Sequence, residues 1–367
     1  MKYYSMKKLL ATGARYLICF GERSNGKTYQ AQENSLIDHI NSGYVNQCCI
    51  IRRQKEDFRG KRGAAYFNNL VCNGEGKNRV YELTKGKYDS ITYYAGRWFL
   101  SNYDNETNKY INAPEPFAFA FALSDMEHEK GNSYPHITKI IFDEFMTRGQ
   151  YLPDEFVLFM NTISTICRQR DNVQIIMCAN TVSRYCPYFD EMGLKHIRQM
   201  RKGCIDVYNY GTSGLKVAVE YCDSPNTFKK SDVYFAFDNP KLKMITGGEW
   251  ELDIFPHLQT KYKPTDVKGR YFVKFQEYIL EAEIVIRENE AFTFIHKKTT
   301  PVKHENQDIV YSTDADQKNN YFGRLTKPMN KTARKILFFF ANNKVFYASN
   351  DIGEIMSHYL NWCEVGK

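Results

Sequence analysis

Short apolar runs alternate with amphipathic segments along the first half of the chain. Runs of four to eight apolar residues between polar ones are typical of buried strands in parallel sheets. Such runs occur at residues 15–20, 44–51, 117–123, 139–145 and 173–180. Residues 29–41 and 153–167 instead place apolar residues at helical spacing. The alternation predicts an α/β domain with a mostly parallel sheet.

The pattern loosens after residue 225. Asn239-Pro240 and Gly247-Gly248 predict turns inside a linker at residues 226–255. Three strand-like runs and then two helical segments follow, at residues 271–275, 282–287, 291–296, 333–340 and 352–360. We therefore expect a first domain at residues 1–225 and a small α+β domain at residues 256–367.

Composition narrows the class of protein. The length of 367 residues suggests about two domains, and the net charge of +8 weakly favours a polyanionic partner. The ten cysteines form no C-x-x-C pair, and the first ten residues have too short an apolar core for a signal peptide. No apolar run is long enough to cross a bilayer. We expect reduced thiols in a cytosolic protein without a membrane partner.

The segment Gly21-Glu-Arg-Ser-Asn-Gly-Lys-Thr28 matches the phosphate-binding loop G-x-x-x-x-G-K-T, between a predicted strand and a helix. Gly21 and Gly26 allow backbone N–H groups to curl around phosphates. We expect Lys27 to reach the β- and γ-phosphates of ATP and Thr28 to bind Mg²⁺. A glycine turn with a chance lysine is the weaker alternative. The remaining predicted nucleotide-binding positions are Glu22, Arg23, Ser24 and Asn25.

Two acids end the apolar run at residues 139–145. Asp143 is predicted to join the Mg²⁺ shell, and Glu144 to orient and polarise the attacking water. Taken alone, this segment fits a buried strand before an acidic turn equally well, but the upstream loop favours catalysis. Asn180 ends the next strand and either senses the γ-phosphate or attacking water, or forms a simple turn.

Basic residues form three further groups in the first domain. Arg168 and Arg170 follow a helix. Each is either a candidate arginine finger or an ordinary cation that complements the helix dipole. Lys195 and Arg198 fall near one face of a predicted helix and are candidates for DNA contact. Residues 52–62 are predicted either to contact phosphate or DNA or to form a solvated loop. The candidates for DNA contact there are Arg52, Arg53, Arg59, Lys61 and Arg62.

The last part of the chain contains a basic stretch. Residues 317–350 include seven Lys or Arg and no Asp or Glu. Lys331, Arg334 and Lys335 are predicted either to contact DNA or RNA, or to form a solvated face over a core helix. The upstream acids make no convincing two-metal set, so we expect a binding module without nuclease activity. These acids are Glu281, Glu283, Asp308, Asp314 and Asp316.

Taken in order, these motifs resemble those of the DNA-packaging ATPases, or encapsidation proteins, of small phi29-like tailed bacteriophages. That family is related to terminase large subunits within the additional-strand (ASCE) division of P-loop proteins. The loop carries arginine at its third position, Arg23, and the resemblance covers most of residues 15–190. The matching blocks are residues 21–28, 51–55, 129–135, 141–145, 168–170 and 180–189.

The resemblance implies a homomeric ring, pentameric in this family, on the portal of a viral procapsid in the host cytoplasm. ATP hydrolysis would drive double-stranded DNA through the ring, with a packaging RNA as a further candidate partner. Arg168 falls on the family's trans-acting arginine finger. Lys55 and Lys130 fall on basic residues around the nucleotide and subunit interface. Arg23 either stabilises charge in its own site or acts when the ring closes.

The resemblance also implies a reduced RNase H-like C-terminal domain. Two other functions stay open from the sequence. One is a terminase-like motor whose C-terminal domain cuts DNA. The other is a nucleotide-gated nucleic-acid-binding protein that regulates assembly.

Overall fold

The computed structural model describes residues 4–73, 75–129, 131–147, 151–181, 186–223, 255–276, 278–288 and 290–364. The chain forms two compact units, Met1–Glu251 and Leu252–Lys367. Apart from Phe255, the predicted linker at residues 226–255 lies outside the described residues, so its boundaries stay a prediction. Among the described helices, none has the length and apolar character needed to span a bilayer.

A ten-stranded sheet forms the centre of the first unit. Its strands are β1 (Tyr16–Gly21), β2 (Gln47–Arg52), β3 (Ser90–Tyr94), β4 (Arg97–Asp104), β5 (Lys109–Asn112), β6 (Ala118–Ala122), β7 (Ile137–Asp143), β8 (Gln174–Asn180), β9 (Ile205–Tyr210) and β10 (Leu215–Tyr221). Six neighbours in the order β6-β2-β7-β8-β1-β10 run parallel. Antiparallel strands extend both edges, with β3, β4 and β5 on one side and β9 on the other. The predicted mostly parallel sheet is confirmed.

Two hydrophobic clusters cover the two faces of this sheet. Successive residues of β1 point to opposite faces, so Leu17 and Cys19 join one cluster, while Ile18 and Phe20 join the other. This two-sided burial explains why the parallel strands are continuously apolar. Within the described residues, the helices of the unit are α1 (Lys7–Leu10), α2 (Lys27–Asn41), α3 (Lys61–Ala65), α4 (Asn68–Val71), α5 (Arg79–Leu83), α6 (Glu155–Cys167) and α7 (Pro187–Glu191).

The order of three central strands places the predicted site residues together. Strand β8 lies between β1 and β7, and all three are parallel. Gly21 at the end of β1 is in register with Asn180 at the end of β8. Asp143 at the end of β7 is in register with Cys178. The phosphate-binding loop, Asn180 and the two acids therefore share one edge of the sheet.

One predicted helix is wrong. The segment around Lys195 contains only a 3₁₀ turn, at Ile197–Gln199. Gly193 and Gly203 both have positive φ angles and enclose a segment too short to sustain a helix. The short helices α3, α4 and α5 were not predicted from the sequence. Segments of four or five residues are too short to show a helical period in their apolar positions.

The second unit is built on a six-stranded sheet with two helices. Its elements are β11 (Val267–Phe275), β12 (Tyr278–Ile286), β13 (Ala291–Lys297), β14 (Ile309–Ser312), β15 (Tyr321–Phe322), β16 (Val345–Tyr347), α8 (Lys331–Ala341) and α9 (Asn350–Glu364). The order is β15-β14-β11-β12-β13-β16, with an antiparallel meander from β11 to β13 and parallel strands on either side. The predicted meander and both helices are present.

Trp98 provides a test of the packing beneath the β3–β4 hairpin. Its ring is fully buried, and its indole N–H donates to the carbonyl of Gly63 at 2.9 Å. We expect Trp98→Ala to lower the free energy of unfolding by about 3–5 kcal/mol, because it leaves a cavity and removes the indole hydrogen bond to Gly63. Urea unfolding measures this change. Tyr94→Ala is the matched control, since Tyr94 is 76% exposed and its loss should change stability by less than about 0.5 kcal/mol.

Candidate nucleotide site

The loop between β1 and α2 adopts a backbone conformation that depends on glycine at two positions. Gly26 precedes α2 with a φ of 101°, in the left-handed region. A Cβ atom on Gly21 would lie 2.9 Å from the carbonyl oxygen of Cys222, too close for any other residue. The first N–H groups of α2 have no intrahelical acceptor, so this helix N-terminus can bind an anion.

Lys27, the first residue of α2, folds its ammonium group back over the loop. Its Nζ donates to the carbonyls of Gly21 at 3.2 Å and Glu22 at 2.6 Å, and to the side-chain oxygens of Asn25 at 3.1 Å and Asn180 at 3.5 Å. Lys27 is only 5% exposed, and this burial lowers its pKa. The present partners of this buried cation are neutral oxygens, so the binding of a phosphate would stabilise its charge strongly.

Asp143 and Glu144 reach the same place from β7. The Thr28 hydroxyl donates to Oδ1 of the buried Asp143 at 2.9 Å. A hydroxyl and a carboxylate side by side suit Mg²⁺, which prefers oxygen ligands, so the predicted metal pair is assembled. Glu144 is exposed, and its backbone has a φ of 60°. Such left-handed geometry at a non-glycine residue costs about 1–3 kcal/mol and is commonest at functional sites.

Arg52, the last residue of β2, binds both acids. Its Nη2 lies 2.7 Å from Oδ2 of Asp143, and its Nη1 lies 3.0 Å from Oε2 of Glu144. Burial alone would lower the pKa of Arg52, but the two carboxylates raise it above its ordinary value. Arg52 thus belongs to the candidate site, and the solvated-loop alternative does not describe it; its predicted contact with phosphate or DNA stays a prediction.

Arg53 is mostly covered, on the opposite face of the sheet. Its guanidinium forms a two-pronged ion pair with Glu155, with Nε and Nη2 lying 2.7 and 2.8 Å from the carboxylate oxygens. Only 12% of the Arg53 side chain is exposed. Its guanidinium is committed to Glu155, which disfavours the predicted DNA contact. The physical reason is the alternation of an extended chain, which sends neighbouring residues to opposite faces.

The other predicted basic residues remain on the surface where their placement is described. Lys55 pairs with Asp125 at 2.6 Å and is 68% exposed. The side chain of Arg198 and all of Lys130 lie outside the described part of the chain. The remaining predicted DNA contacts are exposed and stay predictions: Arg59, Lys61, Arg62, Lys195, Lys331, Arg334 and Lys335.

The two candidate arginine fingers have different environments. Arg170 donates to five backbone carbonyls at 2.8–3.2 Å, those of Tyr134, Pro135, Ile137, Ile166 and Cys167. Arg168 is exposed and donates to the carbonyl of Asn132 at 2.6 Å. Its φ of 42° ends α6 in the left-handed region. Arg170 is thus committed to its own fold, whereas Arg168 faces outward.

Neither arginine can act on its own nucleotide loop. Both precede the amino end of β8, whereas the loop follows the carboxyl end of the parallel strand β1. A seven-residue strand separates these edges by roughly 20 Å, which exceeds the reach of an arginine side chain. Any action of Arg168 on a nucleotide must therefore involve another subunit.

A cavity of about 560 Å³ opens at the loop. This volume lies within the range of ligand pockets. Besides the loop, Asp143, Glu144 and Asn180, its walls include Asn69 and Arg79. Sequence reasoning missed these two and also the ion pair between Glu22 and Lys202 at 3.2 Å. Arg23 is exposed within the loop, beside Ser24.

The second unit brings Glu281 and Glu283 together with His296, with their ligand atoms within 4.8 Å of one another. Arg270 lies 3.0 Å from Glu281 and 3.2 Å from Glu283, and Lys298 lies 3.2 Å from Glu281. These cations already neutralise the carboxylates, which disfavours a nuclease metal site. Within the described residues, the other predicted acids belong to no such group: Asp308, Asp314 and Asp316.

Residues 1–210 match the model of a protein family described as the podovirus DNA encapsidation protein (Gp16). The chain is 30% identical over 177 residues to the DNA packaging protein of Bacillus phage B103, covering 47% of this chain and 46% of that protein. It is 26% identical over 190 residues to the DNA packaging protein of Bacillus phage phi29, covering 51% and 49%. The chain spans about half the length of the curated relatives it matches.

The fold resembles a chain in the solved structure of the bacteriophage Phi-29 viral genome packaging motor assembly. The TM-score is 0.59 at 20% sequence identity, and the match covers 97% of this chain and 98% of that chain. At this identity the likeness concerns the fold alone.

The contrast between Arg170 and Arg168 gives a stability test. We expect Arg170→Ala to lower the free energy of unfolding by about 2–3 kcal/mol, because five carbonyls lose their hydrogen bonds from a charged donor. Arg168→Ala, an exposed position on the same turn, should change it by less than about 0.5 kcal/mol. Urea unfolding of both variants measures these changes. Equal losses of stability would contradict the conclusion that Arg170, but not Arg168, is committed to the fold.

Proposed function

The chain belongs to the podovirus DNA encapsidation protein family, and on this premise we propose that it is an ATP-hydrolysing motor that moves double-stranded viral DNA into a procapsid. The observation that carries the proposal is the meeting of Lys27, Thr28, Asp143 and Glu144 at one sheet edge. A phosphate-binding loop without acids binds nucleotide, whereas adjacent carboxylates add the means to hydrolyse it.

The strand order supports an additional-strand P-loop domain. Strand β8 separates the loop strand β1 from the acid-bearing strand β7. Asn180 at the end of β8 lies 3.5 Å from the Lys27 ammonium. This position supports the proposal that Asn180 contacts the terminal phosphate or the attacking water.

ATP and Mg²⁺ are the cofactors that this arrangement fits. Lys27 and the N–H groups of the loop would hold the phosphates, while Thr28 and Asp143 would hold the metal. Mg²⁺ supplies neutralisation of the phosphate charge during transfer. Glu144 would accept a proton from the attacking water. Arg52 contacts one oxygen of each of these acids, so the other oxygen of each would serve these roles.

The position of Arg168 supports a site shared between subunits. Because Arg168 lies at the edge of the sheet opposite its own loop, it would complete the site of a neighbour as an arginine finger. An interface that joins two different surfaces generates a ring when the rotation between neighbouring subunits closes. We expect a homomeric ring, pentameric as the family resemblance implies, on the portal of the procapsid in the host cytoplasm.

The second unit is proposed to be an RNase H-like nucleic-acid-binding module. Its antiparallel meander, extended by β14 and β15 parallel to β11, supports this fold assignment. The ion-paired state of Glu281 and Glu283 favours binding over cleavage. The exposed cations on α8 are candidates for contact with DNA or a packaging RNA, through phosphates rather than base sequence.

Two substitutions test the ATPase assignment. We expect Lys27→Ala to abolish detectable ATP binding, because it removes the cation that pairs with the phosphates. Glu144→Gln should bind ATP normally but lower kcat by at least about 10²-fold, because the amide cannot accept the proton. Equilibrium binding of ATP and steady-state phosphate release, with and without DNA, measure both effects. Normal turnover by Glu144→Gln would remove the general-base assignment.

Mixed rings test the role of Arg168. Arg168→Ala subunits retain their own loop and acids, and Lys27→Ala subunits retain their arginine. If the finger acts on a neighbour, mixing the two inactive variants should restore part of the DNA-stimulated ATPase activity, since some interfaces combine an intact loop with an intact arginine. Each variant alone is the control. An absence of restored activity in mixtures that demonstrably co-assemble would argue against action between subunits.

A further inference from the structure

The backbone of Glu144 is held in an unfavourable conformation by contacts on both sides. Its φ of 60° is left-handed, which a non-glycine residue adopts only when its surroundings enforce it. On one side, its N–H donates to the carbonyl of Cys178 in β8 at 2.8 Å. On the other side, the carbonyls of Glu144 and Phe145 both accept from a single guanidinium, that of Arg53.

Arg53 uses all three of its nitrogens in this arrangement. Nη1 lies 3.4 Å from the carbonyl oxygen of Glu144, and Nη2 lies 2.9 Å from that of Phe145. Nε and Nη2 also bind the two oxygens of Glu155. A planar fork with fixed donor directions can serve a carboxylate and two carbonyls together, which an ammonium group cannot do.

Glu155 is itself fixed from two directions. The Tyr188 hydroxyl donates to its Oε1 at 2.8 Å, and the backbone N–H of Leu152 donates to its Oε2 at 2.7 Å. The Glu155 side chain is 1% exposed. It is the first residue of α6, so the anchor of Arg53 is the start of the helix that ends at Arg168.

We propose that Arg53 is a positioning residue for the hydrolysis reaction: it holds the left-handed turn at Glu144 and so aims the general base at the attacking water. This inference rests on the proposed ATPase function. Arg53 does not touch the nucleotide cavity, whose lining includes Glu144 but not Arg53. Its effect passes through the Glu144–Phe145 backbone. Arg52 and Arg53 thus act on the same acid, one on its carboxylate and the other on its main chain.

A purely structural role makes a different prediction. An ion pair that only stabilises the fold can be replaced by apolar residues of similar size without loss of function. A positioning role requires the carbonyl contacts, so it is lost with any replacement of the guanidinium. Arg53→Lys retains a cation for Glu155 but not the fork, and Arg53→Met with Glu155→Met removes both charges without stranding either one.

The experiment measures ATP affinity, kcat and amide hydrogen exchange in these variants. We expect Arg53→Lys and the double Met variant to bind ATP within about twofold of the unsubstituted protein, because the loop is untouched. Their kcat should fall about 10- to 100-fold, since a misplacement near 1 Å can cost that much. Exchange should rise in the peptide containing residues 143–146. Tyr188→Phe is the control, because it loosens Glu155 but leaves both carbonyl contacts; its kcat should stay within about twofold.

Three outcomes separate the possibilities. Low kcat with intact ATP affinity in both Arg53 variants, and normal kcat in Tyr188→Phe, supports the proposal. Normal kcat in the double Met variant overturns it and leaves the ion pair a stabilising feature only. If Glu144→Gln turns over ATP normally, the proposed general base is lost and the positioning role falls with it. In that case Lys27→Ala still reports separately whether the loop binds ATP.

Discussion

The candidate site depends on the parallel pairing of β1, β8 and β7. That pairing aligns three carboxyl ends, so the glycine loop and the start of α2 lie within hydrogen-bonding distance of Asp143 and Asn180, each more than 100 residues further along the chain. The hydrogen bond from Thr28 to Asp143 joins the first turn of α2, which follows β1, to the end of β7. Parallel strands need long crossovers, and here the crossovers supply the helices that bury both faces of the sheet.

The alternation of an extended chain adds a second constraint at the end of β2. Arg52 and Arg53 are adjacent, yet Arg52 pairs with Asp143 and Glu144, whereas Arg53 pairs with Glu155 at the start of α6. Burying Arg53 and Glu155 carries a large desolvation cost, which their mutual hydrogen bonds and those from Tyr188 and Leu152 offset. A network with so many partners is rigid, and rigidity is what a strained residue such as Glu144 needs to keep its conformation.

The sequence predicted those parts of the site that local pattern specifies. The loop requires glycines at two fixed positions, and the acids follow an apolar run, so both are visible without a structure. Arg53 and Arg170 looked like surface cations because composition does not reveal a partner. Glu155 lies 102 residues beyond Arg53, and the carbonyls that bind Arg170 come from two separate segments. Such pairings follow from sheet order, which periodicity alone does not determine. The short strands β14, β15 and β16 were missed because four residues or fewer carry no resolvable period.

The geometry of one subunit also limits how subunits must meet. The glycine loop lies at the carboxyl edge of the parallel strands, and Arg168 lies beyond their amino edge. If Arg168 serves a neighbour's nucleotide, two different surfaces must face each other at every contact. A symmetric two-fold dimer brings identical patches together, so it would set loop against loop or arginine against arginine unless one patch contained both. Their separation by the length of a strand disfavours such a patch, and a head-to-tail contact is the arrangement that remains. Helix α6 begins at Glu155, which binds Arg53, and is followed directly by Arg168. A displacement of Asp143 and Glu144 in one subunit would therefore pass through this single helix to the contact that Arg168 makes with a neighbouring subunit.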